Sequence, residues 1–83
     1  MAQSTFHAAS GGLDFVGLRR GRRGEMEIIY DDGVRRRLVW RVLGGASEGQ
    51  IGEALQRAAR ATRVLPAIYS ELRKRAISIE AVA

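Results

Sequence analysis

The sequence predicts an α+β fold: a small antiparallel sheet, formed by an N-terminal β-hairpin or three-strand meander plus a C-terminal strand, packed against two helices. Three observations predict it. Two apolar runs flank the turn signal Asp31-Asp32-Gly33. Two stretches after Gly44-Gly45 carry apolar residues at helical spacing. The chain then alternates apolar and polar residues in Ala76-Ile-Ser-Ile-Glu-Ala-Val82, which reads as a short closing strand with a frayed helical tail as the alternative.

In chain order, residues 1–12 read as a flexible leader, closed by Ser10-Gly11-Gly12, and residues 13–83 as a single domain. Leu13 to Arg20 is a strand candidate in which Gly17 marks a bulge or an edge. Glycines flank and divide the arginines of Arg19-Arg20-Gly21-Arg22-Arg23-Gly24, so that segment reads as a loop.

The hairpin Glu25–Leu43 admits two registers. A two-residue turn at Asp32-Gly33 pairs Ile28 with Arg37 and Tyr30 with Arg35, which sets apolar side chains opposite charges. A three-residue loop, Asp31-Asp32-Gly33, pairs Tyr30 with Val34 and Met26 with Leu38. Met26, Ile28 and Tyr30 then share a buried face with Val34, Leu38, Trp40 and Val42. A one-residue slip would invert every side chain, so the second register is expected, with Gly33 in the left-handed position. Arg36 is the misfit on that face, and a snorkelling position at an edge would accommodate it. The other face carries Glu25, Glu27, Ile29, Arg35, Arg37, Val39 and Arg41, with Glu27 across from Arg37.

Ser47 and Gln50 fit a capping box at the start of a helix. Ile51, Ala54, Leu55, Ala58 and Thr62 form its apolar stripe. Arg57, Arg60 and Arg63 lie about 160° away, with Glu53 placed to neutralise part of them at i−4 from Arg57. Pro66 opens a second helix that runs to about Arg75, and Leu65 before it should be non-helical. Leu65, Ile68, Tyr69 and Leu72 give that helix its apolar side. Ile77 and Ile79 point inward from a closing strand. The outline of Ser47–Arg75 is that of a helix-turn-helix, but Pro66 at the mouth of the second helix and the lack of a glycine turn count against it.

Composition bounds the function. The 83 residues carry 14 basic against 9 acidic side chains, a formal net charge of +5, and have no cysteine. Thirteen of the basic residues are arginine, whose planar fork suits phosphate and carboxylate. Without cysteine there is no disulfide or cysteine–zinc site. His7 is the single histidine, so nucleophile–histidine chemistry has little to work with. No catalytic residue, metal ligand or cofactor is assigned, and the chain is expected not to be an enzyme. Asp31 and Asp32 read as turn residues rather than metal ligands. Gly44 to Gly49 follows a strand and opens a helix, yet lacks the spacing and lysine of a phosphate loop. No apolar run reaches the roughly 20 residues of a membrane helix, and a cytoplasmic protein is expected.

The arginines remain. Arg19, Arg20, Arg22 and Arg23 lead straight into the hairpin, so with Arg35, Arg37 and Arg41 they are expected to form one basic patch. Trp40 and Tyr30 share the apolar phase and are expected in the core, not as base-stacking platforms. The expected function is a small regulatory domain that binds nucleic-acid phosphates. The alternative is a phage-type inhibitor or adaptor whose arginines dock on an acidic surface of a larger protein complex. A thin core leaves a homodimer open.

Overall fold

The computed structural model describes residues 4–9 and 14–82, with side chains over 14–82. Its elements are β1 (Ser4–Ala9), β2 (Phe15–Arg20), β3 (Met26–Asp31), β4 (Arg37–Leu43), α1 (Glu48–Ala59), α2 (Val64–Lys74) and β5 (Ser78–Val82). The strands form one sheet in the order β1-β2-β3-β4-β5, each antiparallel to the next. Two helices inserted between β4 and β5 carry the chain across the sheet and back, so Ser78 starts beside Leu43. This is the α+β architecture that the sequence predicts.

Val16, Leu18, Ile28, Tyr30 and Trp40 form the sheet side of the core, and Ile51, Ala54, Leu55, Ala58, Val64, Ile68 and Leu72 the helix side. Full burial of each valine, leucine or isoleucine among them is worth about 1.5–3 kcal/mol. Trp40 and Tyr30 are core residues, as their phase requires. Trp40 also meets the half-exposed ring of Tyr69 edge to face, with centroids 5.5 Å apart. Burial pushes the Tyr30 phenol above its ordinary range, and the charge and hydrogen bond of Asp14 push the same way.

Four expectations need correction. Of the segment read as a leader, residues 1–3 and 10–12 lie outside the described residues, but Ser4–Ala9 is a strand paired with β2. Its backbone hydrogen bonds come from β2, a long-range source that no local periodicity in residues 4–9 announces. As a result β2 is an interior strand, and the irregularity expected at Gly17 lies instead in β1, between Ser4 and Phe6.

The hairpin loop is longer than expected. Tyr30 pairs with Leu38, Ile28 with Trp40 and Asp31 with Arg37. The shift from the expected register is an even number of residues, so the buried face survives while Val34 and Arg36 leave the sheet. Val34 is 70% exposed. Arg36 becomes a loop residue, which removes a guanidinium from an apolar face where it would go unpaired. The Asp32 carboxylate closes the loop by accepting the N–H groups of Val34 (2.8 Å), Arg35 and Arg36 (both 3.0 Å). Gly33 takes the left-handed conformation, φ 80°.

The second helix begins at Val64, so Leu65 is helical and Pro66 occupies the third position. The first four N–H groups of a helix have no intrahelical acceptor, so proline forfeits no bond there. Its far end closes without glycine: Ala76 is left-handed at φ 57°, and Ile77 N–H reaches Leu72 O at 3.0 Å. At the start of α1 the capping box forms as expected, with Gln50 N–H to Ser47 Oγ at 3.1 Å and Ser47 N–H to Gln50 Oε1 at 2.9 Å.

Candidate nucleic-acid interface

Arg19, Glu27 and Arg41 alternate along their strands with Leu18, Ile28 and Trp40, which lie under the helices. They therefore occupy the opposite face of the sheet. Register sets Arg19 opposite Glu27, Glu27 opposite Arg41, and Arg41 opposite Glu80, a row of alternating charge across β2 to β5. Arg19 Nε donates to Glu27 Oε1 at 2.8 Å, and Arg41 Nη1 lies 3.8 Å from Glu80 Oε2. Glu27 sits opposite Arg41 and not Arg37, which follows from the longer loop.

The β2–β3 turn adds the wall. Gly21 N–H donates to Glu25 O at 2.6 Å, and Gly24 N–H to Gly21 O at 3.1 Å. The Glu25 carboxylate folds back over Gly21, where a Cβ would stand 2.5 Å from it and oblige that side chain to shift. That carboxylate accepts Arg23 N–H at 2.9 Å. Hydrogen bonding from its own backbone N–H, then from Arg23, together with the charges of Arg41 and Arg23, holds the Glu25 carboxyl below its ordinary range. Arg22 and Arg23 stand exposed at the tip. Arg20 donates to Gly24 O at 2.9 Å and to Glu48 Oε1 at 3.4 Å.

Arg19, Arg20, Arg22, Arg23 and Arg41, with Gly21, Glu25 and Glu27, line one open cleft. Arg19, Arg20 and Arg41 are ion-paired; among the described residues Arg22 and Arg23 are in no ion pair. Of the seven candidate arginines, these five come together.

Arg35 and Arg37 do not join them. They sit at the far end of β3, which spans six residues, or about 20 Å at 3.4 Å per residue. The expected continuous patch is thus two patches, because a hairpin places its turn and the preceding loop at opposite ends of the shared strand. The local sequence also hides a third group. Glu53 pairs with Arg75 at 3.8 Å, so it is not the counter-charge expected for Arg57. Arg57, Arg60 and Arg63 are all exposed, and no ion pair among the described residues involves them. Their isolation depends on a partner of Glu53 that is distant in sequence, which helical spacing alone does not reveal.

No described helix is long and apolar enough to cross a membrane. Comparison with protein-family models, curated proteins and solved structures finds no match for this chain.

Proposed function

We propose that the chain is a small, non-enzymatic regulatory domain that binds nucleic-acid phosphates through the cleft of Arg19, Arg20, Arg22, Arg23 and Arg41. One observation carries this reading: among the described residues the cleft is lined by arginine, glycine and glutamate, with no aromatic or aliphatic side chain. Protein interfaces draw most of their affinity from a few Trp, Tyr and Arg anchors in fully desolvated pockets, whereas these arginines line an open cleft. Base stacking needs aromatic platforms. Phosphate contacts need neither, because their driving force is charge and counterion release. Arg22 and Arg23 are free to make them. Phosphate contacts fix position and carry no sequence information, so binding through this cleft is indifferent to sequence.

The test is a titration of unrelated duplex and single-stranded DNA and RNA at low and moderate salt. Binding with a Kd of about 1–100 μM and a steep loss with salt is expected. Replacing both Arg22 and Arg23 by alanine should flatten the salt slope by up to about 2. Absence of binding at low salt overturns the reading. The alternative is then an inhibitor or adaptor that sets the same arginines on an acidic protein surface. Glu48 and Glu80, beside Arg20 and Arg41, favour that alternative, since a rim of mixed sign fixes register between proteins.

A further inference from the structure

We propose that the C-terminal end of α1 and the α1–α2 connection form a second phosphate-binding surface, with Arg57, Arg60 and Arg63, so that one copy of the chain holds two nucleic-acid segments on opposite faces. The proposal rests on the phosphate-binding reading of the cleft and extends it to a separate surface.

Arg57 lies in the last turn of α1 and Arg60 caps it, so their spacing of three sets them side by side, and Arg63 follows in the short connection as the N-cap of α2. All three are exposed. The acidic residue one turn before Arg57 is engaged elsewhere, as Glu53 lies 3.8 Å from Arg75 Nε. The first turn of α2, which follows Arg63, has no acidic residue. This group therefore carries less counter-charge than the cleft, where Glu25 and Glu27 stand among the arginines.

The occupant follows from what the face lacks. The large apolar side chains that are exposed among the described residues are Val34, Leu43 and Tyr69, none of them on α1. Among the described residues no exposed large apolar side chain on α1 stands ready to anchor a protein partner beside these arginines, and a polyanion needs none.

The floor of the cleft faces away from these arginines, while Arg20, in phase with Leu18, reaches Glu48 at the opposite end of α1. The helices pack on the sheet side that carries Leu18, Ile28 and Trp40, and the cleft is floored by the alternate residues of the same strands. The body between them measures 31 × 29 × 21 Å. Duplex DNA has a persistence length of about 150 base pairs, so a short duplex on one face does not wrap to the other. Occupancy of both surfaces means two segments joined by one protein.

The experiment mixes short duplexes labelled with an energy-transfer donor or acceptor and adds the full chain. Wild type should bring donor and acceptor together at limiting protein and lose the signal in excess, when each duplex is separately coated. The triple variant Arg57→Gln/Arg60→Gln/Arg63→Gln should still bind through the cleft, with a salt slope lower by up to about 3, and should not bridge. The double variant Arg22→Gln/Arg23→Gln should bind through α1 and also fail to bridge. Circular dichroism checks that each variant is folded. Wild type that binds but never bridges, or a triple variant that bridges like wild type, overturns the second surface and leaves the cleft standing. Binding abolished in the triple variant and unchanged in the double variant overturns the cleft instead. Failure of wild type to bind at all overturns both.

Discussion

Arg19 donates from Nε to Oε1 of Glu27 at 2.8 Å, on the sheet face opposite the helices. Glu27 is only 9% exposed and also faces Arg41 across β3 and β4. It is thus a carboxylate between two guanidinium groups, and the central element of the alternating row that ends at Glu80.

Glu27→Ala separates the two contributions of that row. Loss of a charge-assisted hydrogen bond should lower stability by about 1–2 kcal/mol in urea denaturation, less than for a fully buried pair because Arg19 is partly solvated. The cleft meanwhile loses a negative charge and frees Arg19. Binding to DNA should therefore tighten, with a salt slope steeper by up to about 1. A protein that is both less stable and a weaker DNA binder would show that the phosphates lie elsewhere.

Val34 distinguishes the hairpin registers. In the structure it is 70% exposed at the tip of the loop, so Val34→Asn should change stability by no more than about 0.5 kcal/mol. In the tighter hairpin, Val34 would lie on the buried face opposite Tyr30. An unsatisfied amide there would cost about 1–3 kcal/mol. Thermal or urea denaturation of the one variant decides between them.

The hairpin also marks how far the sequence could be read. Period-two alternation sorts Met26, Ile28, Tyr30, Leu38 and Trp40 onto one face in any register shifted by an even number, so the face was legible and the loop length was not. The capping box at Ser47 and the stripe Ile51, Ala54, Leu55 and Ala58 are local signals, and both were legible; Thr62, expected on the same stripe, lies beyond the end of α1 and is exposed. β1 was not, because its stability depends on pairing with β2. The candidate site divides in the same way. Arg19, Arg20, Arg22 and Arg23 are neighbours in sequence and remain neighbours in space, while Arg41 joins them and Arg35 and Arg37 do not, a matter of register. The freedom of Arg57 was hidden for a similar reason: the ion pair of Glu53 with Arg75 joins residues from different helices.

The left-handed Ala76 is a site where stability can be gained. It closes α2 with N–H bonds from Ala76 to Arg73 O and from Ile77 to Leu72 O, both 3.0 Å, and Leu72 and Ile77 are both buried. This is the pattern in which glycine normally supplies the positive φ. A Cβ in that conformation costs about 1–2 kcal/mol, partly offset by the extra unfolded-state entropy of glycine. Ala76→Gly should therefore stabilise the protein by about 0.5–1 kcal/mol. A fall in the denaturation midpoint would mean that the α2–β5 junction does not hold this conformation in solution.

Acid should weaken the fold through three carboxylates that the native state holds below their ordinary range. For Asp32 the causes are the N–H groups of Val34, Arg36 and Arg35; for Glu71 the first is the hydrogen bond from Arg75; for Glu25 it is its own backbone N–H. A lowered pKa means that the unfolded chain takes up protons before the native one does. The stabilisation is therefore complete above the ordinary carboxylate range, around pH 4, and is lost as pH falls through the native values. Urea denaturation over a pH series should show a plateau above that range and a decline below it. Asp32→Asn keeps an acceptor for the loop but removes a titrating group, so its acid limb should be shallower than that of wild type. Superimposable limbs would show that the amide bonds closing the β3–β4 loop contribute nothing to acid sensitivity.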